Sequence, residues 1–453
     1  MKRKLSLQHL SPNWVLILYY GTAILLGALL LSLPLAAQSG HLSFIDALFT
    51  ATSAQCVTGL VVVDTGHDLS LFGQLVVLLL IQIGGLGITT FSVYLFIYLR
   101  QGLGLQNRRL IQETLIHTPF ASLKELIRNI FLFTLVIEGI GAALLAIRFV
   151  PRDGLVQGLY SAVFHSVSAF CNAGFSLYPD SLVGYRDDLL VNLTSMVLIT
   201  LGGVGFLVMH ELLDLCRRRK RHRLSLHSRL VLMTSLALTL GGAALIWGLE
   251  FGSSLRQISF GDGLLTSLFQ SVTCRTAGFN SIDLNSFEVP TLLLMMFLMF
   301  VGASPGSCGG GIKTTSLALF VAILHSRLHG MMHTNVFRRT VPEELATRTL
   351  TLVMLAILLC GASIFILMSF ELQGLAFNES RGALLDYAFE AVSAFATVGL
   401  SLGVTTKLSL IGKIIIITLM FIGRVGLLTV AFAFIRRARK DGVRYGEERI
   451  MIG

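Results

Sequence analysis

Residues 300–316 read FVGASPGSCGGGIKTTS, in the middle of an apolar run that extends from Thr291 to Leu324. Five glycines, a proline and a lysine are unsuited to a continuous helix, because proline removes a backbone donor and each glycine costs about 0.5–1 kcal/mol relative to alanine. Irregular backbone at membrane depth is tolerated only where protein buries it or where it lines a water-filled cavity. The stretch therefore indicates a broken span beside a pathway for something polar. A kinked helix that packs closely through small residues is the alternative.

The surrounding sequence is typical of a polytopic membrane protein. Of its 453 residues, 54% are hydrophobic and 13% are charged, and the apolar residues form long runs. The first run is longer than the apolar core of a signal peptide, so we interpret it as a span. Eight runs are long enough to cross a bilayer, and they lie near 14–36, 73–99, 128–150, 188–215, 228–250, 291–324, 349–370 and 409–435.

The net charge of +10 is distributed as a membrane topology would require. With eight spans, most of the 35 Lys and Arg residues fall on one face, in clusters at 2–4, 100–128, 217–229, 327–348 and 436–449. The positive-inside rule then predicts that both termini are cytoplasmic. Topology and contact with anionic lipid account for the densest cluster, at 217–223, and docking of a cytoplasmic partner is a secondary interpretation. The charge does not indicate a nucleic-acid partner.

An internal repeat organises the whole chain. Four segments share a phenylalanine, then a serine or threonine, then a glycine followed by Leu or Phe: ALFTATSAQCVTGL at 47–60, AVFHSVSAFCNAGF at 162–175, SLFQSVTCRTAGF at 267–279 and YAFEAVSAFATVGL at 387–400. The phenylalanine precedes the glycine by ten residues in three copies and by nine in the third. Four matches in register with the hydropathy predict four units, each made of a span, a half-helix, an extended loop and a second span.

These units divide the chain as follows. We predict repeats at 14–100, 128–216, 228–326 and 348–438, cytoplasmic tails at 1–13 and 439–453, and cytoplasmic linkers at 101–127, 217–227 and 327–347. A half-helix of about 12 residues is too short to cross the bilayer, which needs ~20, so each must dip in and return. The fold class is thus an all-α membrane protein with the four units in a pseudo-fourfold arrangement.

The loops after the half-helices carry the functional prediction. Their carbonyls lack helical partners, which is prohibitive in hydrocarbon unless the loops converge and the oxygens bind a dehydrated cation. Glycine suits such a loop because it adopts positive φ and permits close approach. The negative ends of the half-helix dipoles also favour a cation. The pattern predicts a cation pathway lined by carbonyl oxygens.

The four motifs, the sequence GASPGSCGGGIKTT at 302–315 and the pair Gly423-Arg424 resemble the Trk/Ktr/HKT superfamily of potassium transporters, and most closely its KtrB-type membrane subunits. The resemblance covers nearly the whole chain. It implies a potassium selectivity filter made by Val57, Thr58, Gly59, Asn172, Ala173, Gly174, Thr276, Ala277, Gly278, Thr397, Val398 and Gly399. In relatives a serine at the first filter glycine goes with sodium preference, so Gly59 implies potassium.

The resemblance also implies a gate below the filter. The predicted gating loop contains Gly302, Ala303, Ser304, Pro305, Gly306, Ser307, Cys308, Gly309, Gly310, Gly311 and Lys313. Cys308 and Gly309 stand where the Ktr type usually has Thr and Ala, a departure that keeps the loop small. Arg424 is then a positive charge that faces the pore and attracts carbonyls of this loop.

Partners and location follow from the resemblance alone. It implies a homodimer in a bacterial plasma membrane, with one pore in each protomer, sitting on a cytosolic KtrA-type ring of regulatory subunits. The ring binds the nucleotide, and no cofactor is expected in this chain. Potassium is the transported ion and sodium a modulator.

Several charged residues invite two interpretations each. Arg424 lies mid-span, where an arginine costs roughly 2.5–3.5 kcal/mol, and a purely structural role is the alternative to gating. Lys313 either takes part in gating or snorkels. Arg275 is expected to be a peripheral brace, and Glu138 and Glu390 to be buried in charge pairs, with Arg275 a candidate partner for Glu390. The loop carboxylates Asp64, Asp68 and Asp283 either concentrate cations or are merely solvated.

Two other functions are alternatives to a cation pathway. A proton- or sodium-coupled symporter also uses broken helices, but such transporters usually contain two inverted repeats rather than four units of one orientation. An intramembrane enzyme or sensor would need a nucleophile with a base, or a set of metal ligands. The six cysteines and the histidines are scattered, and His210-Glu211 lacks the second histidine of a zinc-protease motif. We therefore predict no enzymatic activity.

Overall fold

The computed structural model describes residues 12–102, 123–217, 224–373 and 377–434. Within them the chain forms helices joined by short connections and one small hairpin. The helices are α1 Pro12–Leu31, α2 Phe44–Gln55, α3 Leu71–Gly102, α4 Leu123–Asp153, α5 Leu155–Cys171, α6 Leu189–Val204, α7 Phe206–Arg217, α8 Leu226–Glu250, α9 Phe260–Thr273, α10 Val289–Phe300, α11 Thr314–Leu328, α12 Glu343–Glu371, α13 Phe377–Ala396, α14 Leu410–Val425 and α15 Leu427–Phe434. The hairpin strands are β1 Asn335–Val336 and β2 Arg339–Thr340.

The chain is a multi-pass membrane protein. Among the described residues, four helices are long and apolar enough to cross a bilayer: α1, α4, α8 and α12. The pair α6 and α7 counts as a fifth if a bend of 103° is allowed within one span. Large apolar side chains such as Leu26, Leu135 and Phe365 remain exposed on these long helices, as lipid contact requires.

Three predicted spans are interrupted. The run at 291–324 divides into α10 and α11 around an irregular loop, as the glycines and proline indicate. The runs at 188–215 and 409–435 are each broken as well, at a glycine. Gly205 and Gly426 have φ of +96° and +98°, and each ends one helix and starts another. Glycine reaches this left-handed region without a Cβ penalty, which explains why both breaks occur at glycine.

Four helices, α2, α5, α9 and α13, end shortly before the glycines of the four repeated motifs, Gly59, Gly174, Gly278 and Gly399. They contain 12, 17, 14 and 20 residues. The expected length of about 12 residues is therefore right for the first and too short for the others, whose helical sequence begins further upstream. Ser43 and Ser259 cap α2 and α9 by accepting a hydrogen bond from the backbone N–H three residues later.

The core surrounds the ends of these four helices. The motif phenylalanines Phe49, Phe164, Phe269 and Phe389 are fully buried. Burial of these aromatic rings fixes the direction from which each helix approaches the centre. Most of the predicted tails at 1–13 and 439–453, of the linker at 101–127 and of the basic cluster at 217–223 lies outside the described residues.

Candidate functional site

The four segments after α2, α5, α9 and α13 meet in a closed ring. We call them the glycine loops: residues 57–60, 172–175, 276–279 and 397–400. A Cβ built on Gly59 would lie 2.5 Å from Ala173 O, and one built on Gly174 would lie 2.8 Å from Ala277 O. A Cβ on Gly278 would collide with Val398 O, and one on Gly399 with Thr58 O. Each loop therefore touches the next in chain order, and the fourth touches the first.

All four loops have the same backbone pattern. The glycines Gly59, Gly174, Gly278 and Gly399 have φ between +69° and +95°. Two residues before each glycine stands a second residue at positive φ: Val57 at 56°, Asn172 at 60°, Thr276 at 71° and Thr397 at 52°. Left-handed φ is rare for β-branched residues and costs of order 1–3 kcal/mol each. Such conformations persist only where the surroundings determine them, so the ring is a strained and closely supported structure.

A cavity of about 440 Å³ opens on one side of the ring. All four loop glycines line it, and the charged residues among its lining are Asp64 and Asp68. A hydrogen bond from His67, at 3.0 Å, holds the pKa of the Asp68 carboxyl below its usual range. The cavity therefore carries negative charge at neutral pH, which favours cations. Asp283 is not part of its lining and instead caps a 3₁₀ turn by accepting from Asn285 N.

Each glycine loop is supported by a hydroxyl from its own helix. The residue four positions after the motif phenylalanine makes the bond in every case. Ser53 Oγ accepts from Gly59 N and Ser393 Oγ accepts from Gly399 N, both at 3.1 Å. Ser168 Oγ donates to Phe175 O at 2.7 Å, and Thr273 Oγ1 donates to Phe279 O at 2.8 Å. The serine or threonine of the sequence motif thus supports the loop backbone.

The segment between α10 and α11, residues 301–313, lies against the ring. We call it the intramembrane loop. Its ends are joined by a parallel bridge between Val301 and Ile312. A Cβ built on Gly309 would collide with the Thr276 side chain, and one built on Gly310 with that of Thr397. The predicted gating residues 302–311 and the third and fourth glycine loops are therefore in direct contact.

Other parts of the chain hold the intramembrane loop. Ser304 N donates to Gly203 O and Cys308 N donates to Gly202 O, both at 3.0 Å, at the end of α6. Phe206 N, just after the break at Gly205, donates to Gly306 O at 3.2 Å. Within the loop, Ser307 Oγ donates to Ser304 O at 2.6 Å. Cys308 is fully buried, so the loop is packed on all sides at this residue.

Two cations bind carbonyls of this loop. Arg424, 2% exposed, donates from its guanidinium to Cys308 O and to Gly84 O, so the predicted contact of Arg424 with loop carbonyls is present. Lys313 Nζ donates to Gly309 O at 2.7 Å. Lys313 does not snorkel, because its ammonium turns back onto the loop. Arg424 joins the loop to α3, which ties two separate parts of the bundle together.

Among the described residues Glu138, Glu390 and Arg275 bind neutral groups, so the charge pairs expected for them are not present there. Glu390 accepts hydrogen bonds from Ser401 Oγ, at 2.7 Å, and from Thr405 Oγ1. Glu138 accepts from Gln82 Nε2 at 3.2 Å and lies near the Cys171 thiol. These neutral partners supply hydrogen bonds, which lower the cost of burying the carboxyls without a cation.

Arg275 also has neutral partners. Its guanidinium donates to Ser235 O at 3.2 Å, to Ser235 Oγ at 2.9 Å and to Thr239 Oγ1 at 3.0 Å. These contacts join the end of α9 to α8, so the expected role as a peripheral brace is consistent with its position. Carbonyl and hydroxyl oxygens thus bind both terminal nitrogens of the guanidinium, while Nε has no hydrogen-bond partner among the described residues.

Sequence reasoning missed several residues that shape the site. The carbonyls of Gly84, Gly202 and Gly203 hold either the intramembrane loop or Arg424, and a backbone acceptor has no sequence signature. Asn172 and Thr276 were predicted as filter residues, but not the contact between them: the Asn172 side-chain amide lies 3.1 Å from Thr276 Oγ1 and joins neighbouring glycine loops. The loop-supporting hydroxyls could have been found, because their spacing from the phenylalanine is the same in all four motifs.

Comparison with known proteins agrees with this architecture. The family model TrkH, described as a cation transport protein, matches residues 20–441. The chain belongs to the TrkH family of cation transport proteins. The resemblance inferred from the motifs is confirmed. Members of this family move cations rather than transform covalent bonds, which accords with the predicted lack of enzymatic activity.

The relatives are similar over their whole length. The Ktr system potassium uptake protein B of Bacillus subtilis is 40% identical over 98% of this chain and 97% of its own. The potassium/sodium uptake protein NtpJ of Enterococcus hirae is 38% identical over 100% of this chain and 99% of its own. The crystal structure of the potassium transporter TrkH from Vibrio parahaemolyticus matches with a TM-score of 0.73 at 19% identity, over 96% of this chain and 86% of that chain. This TrkH-family chain therefore shares that fold.

Proposed function

We propose that this chain is the pore-forming membrane subunit of a potassium uptake system. Potassium passes through the ring of glycine loops, where backbone carbonyls replace water around the ion. The cavity on the Asp64 side is the outer mouth. The intramembrane loop is the gate on the opposite side of the ring.

One observation carries the proposal: four loops of identical backbone pattern close a ring in which each glycine abuts a carbonyl of the next loop. Alternation between left-handed and ordinary φ lets successive carbonyls face the same side of a strand. Carbonyls that face one another across a ring can form the coordination shell of a dehydrated monovalent cation. No side-chain carboxylate is required at the ring, and the twelve residues 57–59, 172–174, 276–278 and 397–399 form the filter.

The gate rests on the contacts of the intramembrane loop. It lies against Thr276 and Thr397, so it stands where an ion leaving the ring would pass. Arg424 and Lys313 hold its carbonyls, and their positive charge raises the barrier to a cation while the loop is in place. Movement of residues 302–311 away from the ring, with release of these carbonyls, opens the path.

The assembly extends beyond this chain. The eight-span arrangement of four units, both termini on the cytoplasmic side and a homodimer with one ring in each protomer complete the proposal. A cytosolic regulatory ring binds the nucleotide and acts on the gate. Potassium is the main permeant ion and sodium modulates the flux. One of the two relatives is named for potassium uptake and the other for potassium and sodium uptake, so the preference between these ions is the property to test.

Uptake in a bacterial host that lacks its own potassium transporters tests the proposal. We expect growth at low potassium and rubidium uptake that potassium suppresses at lower concentrations than sodium does, with and without a co-expressed regulatory subunit. Membrane abundance of the chain is measured in parallel. A control variant, Gly361→Ala, changes a glycine whose Cβ position has no neighbour within 4 Å. Abundant wild-type protein that supports neither growth nor rubidium uptake would contradict the proposal.

A further inference from the structure

A second position repeats in the four motifs without repeating its residue type. The residue directly after the motif phenylalanine is Thr50 in α2, His165 in α5, Gln270 in α9 and Glu390 in α13. All four side chains are 2% exposed or less. Polar groups at such depth are costly unless they are hydrogen-bonded. Because all four residues are polar and buried, although their types differ, we expect them to share a contact.

In three of the four units this residue binds a serine eleven positions later. His165 Nε2 lies 2.9 Å from Ser176 Oγ, and Gln270 Nε2 donates to Ser281 Oγ at 3.3 Å. In the fourth unit Ser401 Oγ donates to Glu390 Oε2 at 2.7 Å. Each serine follows the loop glycine by two or three residues. We call these contacts the outer struts, since each joins the helix behind a glycine loop to the segment that leaves the ring.

The first unit lacks an outer strut. Eleven residues after Thr50 stands Val61, which has no hydroxyl. Thr50 Oγ1 is buried and has no hydrogen-bond partner among the described residues. The four units are thus equal in the hydroxyl that supports the loop backbone and unequal in the outer strut. The loop-supporting bond thus occurs in all four units, and the outer strut in three.

Two of the three outer struts end at the outer mouth. Ser176 and Ser401 line the cavity of about 440 Å³, together with Thr405, which also donates to Glu390. A second bond fixes the His165 ring: Ser161 O, which can only accept, lies 2.7 Å from Nδ1, so Nδ1 carries a proton and Nε2 of the neutral ring accepts from Ser176. Glu390 is likewise held from two hydroxyls. His165 and Glu390 are therefore themselves held in place, whereas Gln270 Oε1 has no hydrogen-bond partner among the described residues.

Such support matters because the loops are strained. Val57, Asn172, Thr276 and Thr397 occupy left-handed backbone conformations that persist only when their surroundings determine them. A group that fixes a reactive or binding geometry is effective when its own rotamer is locked by packing and hydrogen bonds. In the buried surroundings of the ring, hydrogen bonds are stronger than in water.

We propose that His165, Gln270 and Glu390 are positioning residues, an inference that rests on the proposed function. Through Ser176, Ser281 and Ser401 they fix the outer ends of three glycine loops. In this way they set the preference for potassium over sodium. They touch no permeant ion. They act by holding the ring at the spacing that fits the larger dehydrated ion. The first loop, without a strut, is the quarter of the ring with the weakest outer restraint.

Ion preference in purified chain reconstituted into liposomes tests this role. The readout is rubidium uptake and its inhibition by sodium, normalised to the protein incorporated. Ser401→Ala, Glu390→Leu and His165→Leu remove one partner of a strut. We expect each to lower the preference for rubidium over sodium by about three- to tenfold, the range that loss of one net hydrogen bond produces. Glu390→Gln keeps an oxygen acceptor for Ser401 and should stay within about twofold of wild type.

A matched control is Ser369→Ala, whose hydroxyl donates to Phe365 O of its own helix at 2.7 Å on an exposed face. The double variant Glu390→Leu with Ser401→Ala should be no worse than the poorer single variant, because both remove the same bond. Wild-type preference in all three single variants, or a Glu390→Gln variant as altered as Glu390→Leu, would overturn the positioning role. A wild-type chain that moves neither ion would instead overturn the proposed function.

Discussion

The glycine loops and the intramembrane loop lie in contact, but they are held in opposite ways. Each glycine loop is supported by a hydroxyl from the helix directly before it, within one unit of the repeat. The intramembrane loop takes its bonds from α6, from the start of α7 and from Arg424 on α14. One structure is local and repeated four times, and the other is unique and supported from a distance.

The difference fits the two functions proposed for these loops. A ring with local support would keep its dimensions when helices shift against one another, as the proposed ion selection requires. A loop whose bonds come from other helices would be released when those helices move, as the proposed gating requires. Variants of the ring should therefore change which ion passes, whereas variants of the intramembrane loop should change how much passes.

The largest change in ion preference is expected from Gly59→Ser. Gly59 has φ of +95°, and a Cβ there would lie 2.5 Å from Ala173 O in the next loop. A strained residue of this kind costs of order 1–3 kcal/mol, so the ring must open and the preference for potassium over sodium should fall by about tenfold or more. Competition between rubidium and sodium in uptake assays measures it. The control is Gly361→Ser, and an unchanged ratio would contradict the assignment of the ring.

Deletion of Ser304 to Gly310 should give the largest change in flux. The deletion leaves ends that are already adjacent, because a Cβ on Gly311 would lie 3.4 Å from Gly302 Cα and Val301 is bridged to Ile312. With the obstruction beneath the ring removed, we expect rubidium flux to rise several-fold while the ion ratio stays constant. Radiotracer uptake into liposomes measures both quantities. Equal flux with and without the segment would rule out gating by it.

Arg424→Gln should raise flux by a smaller factor. It removes the positive charge and the guanidinium bonds to Cys308 O and Gly84 O. The bonds that the loop donates to Gly202 O and Gly203 O, and the bond from Phe206 N to Gly306 O, stay in place. The matched control is Lys413→Gln on the same helix, which breaks an ion pair of 2.6 Å with Asp46 away from the loop. If both variants carry wild-type flux, the role of Arg424 is structural. An altered ion ratio in Arg424→Gln would argue against the separation of the two functions.

The smallest effects are expected from Ser53→Ala and Ser393→Ala. Each removes one hydrogen bond of 3.1 Å to the N–H of a loop glycine. A typical net contribution of about 1 kcal/mol corresponds to a change of about fivefold in ion preference, or less if the backbone relaxes. The two variants should be alike, because the geometry is the same in both units. A marked change in ion preference in only one of the two variants would show that these hydrogen bonds do not contribute equally in the two units.

The four glycine loops could be predicted because their sequence motif occurs four times in the chain. Phenylalanine, hydroxyl and glycine recur at nearly fixed spacing, and hydropathy places them after a long apolar run. The positive φ of Val57, Thr276 and Thr397 could not be predicted, since β-branched residues disfavour it and tertiary contact alone imposes it. The ring was foreseen, but its strain was not.

The unique part was predicted only in outline. Composition indicated the break at 302–316, whereas Gly205 and Gly426 lie in mainly apolar runs without a proline, so their positive φ has no comparable sequence signal. Burial of Glu390 and Arg275 suggested that they pair, but hydroxyls and carbonyls nearby provide cheaper partners than a second buried charge. Long-range acceptors such as Gly84 O leave no trace in the sequence.

Closure of the ring within one polypeptide has a genetic consequence. In a channel built from four identical subunits, one altered codon changes every quarter of the ring together. Here a codon changes one quarter alone, so each can drift on its own, as the series Thr50, His165, Gln270 and Glu390 illustrates. In a dimer in which each chain has its own ring, an inactive chain should leave the ring of its partner functional. When active and inactive alleles are expressed equally, total conductance should therefore fall by half, without a dominant-negative effect.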